Sequence, residues 1–178
     1  EKDASRILKG ISRRLSRLGV KEIVCLCPNC QEFFGERLDL PVLSVYTLLA
    51  RWGYVYQGES LSGVIFRPCP DRKEGRILTE ISQLVSIESL RPIEKVACCG
   101  LGGKVAALGP AVAAKMCAQV KEQGAGEVIY TYCASCSGQF QRHNCGEVRH
   151  LLSPMLGVDE EPDVAHALLN RAKRKFQG

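Results

Sequence analysis

The chain has 178 residues, 46% of them apolar, and a formal net charge of +5, which allows one compact domain or two small lobes sharing a core. No run approaches the ~20 apolar residues needed to cross a bilayer, and no signal-peptide pattern opens the chain, so a soluble protein without direct membrane insertion is expected. The basic excess sits in two clusters, residues 9–17 and 171–175, both on amphipathic patterns, and the aromatics (6%) are not interleaved with them; this disfavours nucleic acid as a partner and points to solvated helix faces.

In chain order, a helical pattern over residues 3–18 leads into an apolar run over 22–27, read as a strand, which gives way to a helix start at Cys27-Pro28-Asn29-Cys30. Residues 42–52 read as a helix. Residues 63–66 read as a short strand that runs into Pro68-Cys69, and 76–82 as a helix. Residues 95–98 read as a strand ending on the adjacent pair Cys98-Cys99, behind which Gly100, Gly102 and Gly103 let the chain turn sharply past the sulfurs. A helix over 110–123 has Pro110 at its first turn. A strand over 127–132 runs into Cys133-Ala134-Ser135-Cys136, and residues 163–176 read as a capping helix. Strands alternating with helices imply parallel pairing through right-handed crossovers, an α/β fold with a mainly parallel sheet flanked by helices. Sites in such sheets gather at the carboxyl ends of the strands, where these cysteines fall.

The chain also repeats itself. Residues 3–34 parallel residues 110–140, each stretch running helix, glycine turn, β-rich run and Cys-x-x-Cys with a phenylalanine behind it. The pattern reads as a tandem duplication of Rossmann-like units. Because the chain opens on Glu1 rather than Met, it is expected to have been cut from a longer one, leaving the first unit truncated.

Ten cysteines in a secreted protein would suggest a disulfide framework, but here they cluster at the ends of apolar runs in a helix-rich chain, which fits metal-bound thiolates in a reduced cytoplasmic setting. Thiolates are the soft donors that iron and zinc select, and five in one set, Cys69, Cys98, Cys99, Cys133 and Cys136, exceed what tetrahedral zinc requires. The residues alone leave three readings open: a redox iron–sulfur site, a zinc or disulfide staple, and a core of free thiols. Cys27 and Cys30 form a possible second half-site, which could also be a redox dithiol, a disulfide or zinc-filled. Cys25 and Cys117 read as small core residues, and Cys145 as a stray thiol in a polar loop. His150 and His166, on helical patterns, read as surface or packing residues. Gly100-Leu101-Gly102-Gly103 is not a dinucleotide fingerprint, since Val105 stands where the last glycine belongs.

The order single Cys, Cys-Cys-Gly, Cys-x-x-Cys resembles the cysteine-rich CCG domain of the heterodisulfide reductase B subunit, found also in the anaerobic glycerol-3-phosphate dehydrogenase C subunit, lactate utilisation protein A and some archaeal-type succinate dehydrogenase subunits. The resemblance implies that Cys69, Cys98, Cys99, Cys133 and Cys136 hold a non-cubane [4Fe-4S] cluster in an oxidoreductase subunit for disulfide reduction or electron transfer. The alternative within the wider family is zinc, in a structural or interaction module of a dehydrogenase complex. It further implies a C-terminal piece of a truncated first unit over 1–40, a complete second unit over 41–155 and a C-terminal capping helix over 156–178. The implied partners are other iron–sulfur or flavin subunits of a redox complex, with a cytoplasmic location that becomes peripheral to a membrane only through such partners. The family's first cysteine usually ends a His-Asp-Pro-Cys run; here the run is Phe66-Arg67-Pro68-Cys69.

Overall fold

Four short parallel strands, in the order β4-β3-β5-β6, form the main sheet in a computed structural model that describes residues 2–158 and 163–176. They are β3 (Gly63–Phe66), β4 (Leu90–Pro92), β5 (Ile129–Thr131) and β6 (Val148–His150). A separate two-stranded parallel sheet pairs β1 (Ile23–Cys25) with β2 (Val42–Ser44). Every strand pairing is parallel, so the chain crosses over between neighbours through helices, giving the α/β architecture expected from the alternating pattern.

The helices are α1 (Lys2–Arg17), α2 (Pro28–Gly35), α3 (Val45–Arg51), α4 (Arg76–Ser82), α5 (Gly103–Ala107), α6 (Pro110–Gly124), α7 (Ala134–Arg142), α8 (Leu152–Met155) and α9 (Ala167–Phe176). Among the described residues, none is long and apolar enough to cross a membrane. Within the 156–178 segment, residues 159–162 and 177–178 lie outside the described ones, and α9 begins four residues later than the pattern suggested. Asp163 accepts the backbone N–H of His166 at 3.0 Å just before that helix, and the carboxylate holds the approach in a turn.

The period-2 alternation of the strands feeds two cores, one on each face of the main sheet. Ile65, Tyr130 and Tyr132 point into a cluster with Tyr46, Ile81 and Leu151. Their neighbours Val64, Phe66, Ile129 and Cys133 point into a second cluster with Cys99, Cys117, Cys136, Phe140 and Cys145. Both faces being covered, all four residues of β3 are buried, as a central parallel strand requires. Each large aliphatic or aromatic side chain so buried contributes roughly 1.5–3 kcal/mol.

The β5/β6 pairing repeats the β1/β2 pairing at one constant offset. Ile23, Val24 and Cys25 face Val42, Leu43 and Ser44; Ile129, Tyr130 and Thr131 face Val148, Arg149 and His150. Each first strand runs into a Cys-x-x-Cys turn that opens a helix, with Cys27 and Cys133 in extended backbone at the two N-caps. The environments differ on the far side, where β5 also pairs with β3 whereas β1, among the described residues, pairs with β2 alone.

Several readings are corrected by the structure, which also adds β4, β6, α5 and α8 to the elements read from the sequence. Residues 42–52 are not one helix, because Val42–Ser44 pairs with β1 and Ser44 then caps α3, its Oγ accepting the Thr47 N–H at 2.9 Å. Residues 95–98 are not a strand: the ladder closes earlier, with the Ile93 N–H donating to Ile65 at 2.9 Å, and Lys95 turns the chain out of the sheet at φ 60°. His150 lies on no helix but ends β6.

Candidate functional site

Three of the five set cysteines, Cys99, Cys133 and Cys136, are buried together in the second core, whereas Cys98 is half-buried and Cys69 exposed. Each arrives from a different piece of the fold. Phe66 ends β3, Pro68 stiffens the exit, and Cys69 opens a single 3-10 turn over Cys69–Asp71. Cys133 follows β5 after the single residue Tyr132, as the N-cap of α7, and Cys136 lies in that helix's first turn. Cys98 and Cys99 sit in the irregular stretch between β4 and α5, where Gly100 (φ 84°) lies against α6 so closely that a Cβ there would come 2.7 Å from the Cα of Ala113. Gly103 also needs its left-handed backbone (φ 62°), but Gly102 is extended and open, so only two of the three glycines are demanded by the turn.

Cys136 carries the shared proton of the buried trio. Hydrogen bonds to Cys133 and to Cys99, reinforced by burial, push its thiol far above the ordinary range. The acceptors move the other way. The bond from Cys136, followed by the N–H groups of Cys136 and Ser135 at the start of α7, brings Cys133 down to about 6. The same donor and the Leu101 N–H bring Cys99 down to about 7 against the opposing effect of burial. Cys69, crowded by protein and by the charges of Cys98, Cys99 and Cys133, is raised to about 11. The Gly100 N–H donates to Cys98 Sγ at 3.3 Å. Two sulfurs with lowered proton affinity around one whose proton is held tightly are the behaviour of a set that a cation would complete.

The Cys-x-x-Cys turn of the first half faces the same place. Asn29 Nδ2 donates to Cys133 Sγ at 3.8 Å, and Cys30 is raised to about 11 by burial, by its hydrogen bond with Cys27 and by the charges of Cys27, Cys25 and Cys133. Between α2 and the loop after Cys69, a cleft of about 450 Å³ is lined by residues that include Pro28, Gln31, Pro70 and Asp71.

The other cysteines divide as their surroundings dictate. Cys25 is buried in β1 and Cys117 in α6, in accord with core roles. Cys145 corrects the reading of a stray loop thiol: it is 4% exposed and its Sγ donates to the Cys117 carbonyl at 3.4 Å, so the loop folds back and buries it. His166 is exposed. His150 is held neutral by burial, its proton affinity lowered to about 4, and its Nδ1 accepts the Leu152 N–H at 3.2 Å.

As the side chains stand, no three Cys, His, Asp or Glu donors among the described residues are arranged to hold a metal ion. The sulfurs are drawn toward one another by S–H hydrogen bonds instead. The chemistry of the donor set nevertheless fits a soft, sulfur-rich group, and one buried atom lacks what such a group offers. Tyr46 is 1% exposed, its hydroxyl has no partner among the described residues, and it lies within electrostatic reach of Cys133. A buried hydroxyl left unpaired costs ~1–3 kcal/mol.

Sequence reasoning missed Asp71 and Tyr132. Asp71 is buried, and its carboxylate accepts the N–H groups of Ile77 and Leu78, both at 2.9 Å, and the Tyr132 hydroxyl at 2.7 Å. The signal was thin: an acidic residue five positions before a helix start hints at a bond to its first turn, but nothing local points to Tyr132.

A family model for the CCG cysteine-rich domain matches residues 64–141. No curated protein and no solved structure matches the chain. The matched stretch contains all five set cysteines and leaves out Cys25, Cys27, Cys30 and Cys145.

Proposed function

Since residues 64–141 belong to the CCG cysteine-rich domain family, we propose that this chain is an iron–sulfur redox subunit resembling the heterodisulfide reductase B subunit, with Cys69, Cys98, Cys99, Cys133 and Cys136 as the ligands of a non-cubane [4Fe-4S] cluster. The observation that carries this reading is the buried, hydrogen-bonded trio Cys99, Cys136 and Cys133, with Cys69 in electrostatic reach of Cys98, Cys99 and Cys133. Such a cluster would supply one-electron exchange and a soft site for a sulfur of a substrate disulfide.

The chain's own residues prepare that chemistry. Val64, Phe66, Val96 and Phe140 keep water from the inner sulfurs. The Cys136 thiol and then backbone N–H groups at the start of α7 lower the proton affinity of Cys133, and the Asn29 amide adds a donor from the first half of the chain. Cys136 and Cys69, both with raised proton affinity, are thiols whose protons must leave when a metal centre is loaded, so loading is favoured as pH rises. Other iron–sulfur or flavin subunits are the proposed electron partners, in a cytoplasmic redox complex.

Metal and sulfide analysis of the anaerobically purified full chain tests the reading. Iron with acid-labile sulfide, in brown protein with broad visible absorption, is the expected result; colourless protein containing zinc and no sulfide would replace it with a zinc-stabilised interaction module.

A further inference from the structure

We propose that Cys117 and Cys145 are a second thiol site, separate from the five-cysteine set, which a low-molecular-weight disulfide converts into an intramolecular disulfide joining α6 to the turn after α7.

The fold brings the two side chains together from distant segments. Cys117 lies on the buried face of α6, 1% exposed, and Cys145 sits just beyond α7, 4% exposed. Across 28 residues of chain, Cys145 Sγ donates to the Cys117 carbonyl at 3.4 Å, and the two sulfurs share a hydrogen bond. The turn is held in place from its own side as well. Asn144 takes a left-handed backbone at φ 50°, and the Cys145 N–H donates to the Phe140 carbonyl at 3.0 Å. Thiols in mutual contact on backbones this close are placed for the short bond a disulfide requires. The nearest of the set cysteines, Cys99, is engaged with Cys136, and the Cys117 thiol meets it at the carbonyl, donating at 3.7 Å.

The two residues also divide the chemistry. Attack on a disulfide needs a thiolate. Cys145 is the attacker: the hydrogen bond from Cys117 and the charge of Lys121, one turn further along α6, lower its proton affinity against the opposing effect of burial. Its neighbours Asn144 and Gly146 are exposed, so opening of a single turn brings a small reagent to it. Cys117, which holds its proton tightly, is the resolving partner. The Cys145 thiolate attacks one sulfur of the reagent RSSR; the S–S bond breaks, RS⁻ leaves and a mixed disulfide forms. Cys117 then gives up its proton, attacks Cys145 Sγ and expels the second RS⁻. Two protein thiols are oxidised and one small disulfide is reduced to two thiols.

The product staples α6, against which Gly100 rests, to the far end of the helix whose first turn carries Cys136. Closing the loop between residues 117 and 145 removes conformations from the unfolded chain.

Peptide mapping of the anaerobically purified full chain tests the site after equilibration with 2-hydroxyethyl disulfide, acid quenching and alkylation of free thiols. Trypsin releases Cys117 in residues 116–121 and Cys145 in residues 143–149, each with a single cysteine, so the linked pair is identified by mass. That pair is expected to accumulate while circular dichroism retains the helical signal. Cys117 joined instead to residues 96–104, which hold Cys98 and Cys99, or no linked pair at saturating reagent, overturns the proposal. Melting gives a second reading: oxidation is expected to raise the Tm of the parent by roughly 5–10 °C more than that of Cys145→Ala. An equal shift in the two proteins overturns the staple. Should Cys145→Ala fail to fold, the peptide map of the parent decides.

Discussion

The phenol of Tyr132 donates to Oδ2 of Asp71 at 2.7 Å across 61 residues of chain. Tyr132 immediately precedes Cys133, and Asp71 ends the turn that Cys69 begins, so this one bond ties together the two segments that carry the inner and outer cysteines. The carboxylate also fixes the start of α4 through Ile77 and Leu78. Tyr132→Phe removes one of three donors and is expected to cost about 1–2 kcal/mol in urea unfolding. Asp71→Ala strands two backbone N–H groups and the phenol, and is expected to cost roughly 3 kcal/mol or more. A loss of less than half a kcal/mol for Asp71→Ala would show that the bond does not brace the fold.

The glycines behind the cysteine pair give a second contrast. A Cβ at Gly100 would meet Cα and Cβ of Ala113 at 2.7 Å, with φ at 84°, whereas one at Gly102 would meet nothing within 4 Å. Gly100→Ala is expected to destabilise the protein by about 2–4 kcal/mol through overpacking and backbone strain, and Gly102→Ala by less than ~1 kcal/mol. Thermal melting of the two variants separates them; equal shifts would mean the Cys98-Cys99 loop does not rest on α6.

His150 sets a pH dependence. Its folded proton affinity is lowered to about 4 by burial, and Nδ1 is already occupied by the Leu152 N–H. Between ~6.5 and ~4 the unfolded chain therefore binds a proton that the folded chain refuses. Stability from this group is complete above ~6.5, falls at up to ~1 kcal/mol per pH unit as pH drops, and levels off below about 4. Comparing urea midpoints of the parent and His150→Gln at pH 7.5, 6 and 5 isolates it. Parallel pH profiles for the two proteins would contradict the assignment.

Much of the fold could be read from local pattern. The strand over Gly63–Phe66 and the helix over Arg76–Ser82 coincide with the sequence reading, and α6 differs by one residue at its end. Short runs of apolar residues failed where two periods overlap. Val42-Leu43-Ser44 continues without a break into Val45-Tyr46-Thr47-Leu48-Leu49, so a three-residue strand and its helix look like one helix until pairing with β1 is known. Residues 95–98 misled in the opposite direction, since nothing local announces that Lys95 adopts a left-handed backbone. At the site, the order of the five cysteines could be read because each cysteine spacing is local to its own turn. The Asp71–Tyr132 bond, the approach of Asn29 to Cys133 and the burial of Cys145 could not, because each depends on contacts between distant segments.

The most direct measurement is the iron and acid-labile sulfide content of anaerobically purified full chains in which single cysteines are changed. Serine is a far weaker soft-metal donor than thiolate, so Cys99→Ser, Cys133→Ser and Cys136→Ser are expected to lose most of the iron and the visible absorption. Cys25→Ala and Cys117→Ala remove only packing, at about 1–2 kcal/mol each, and are expected to retain both. Iron and sulfide retained in Cys99→Ser and Cys136→Ser, or lost equally in Cys25→Ala and Cys117→Ala, would contradict the account.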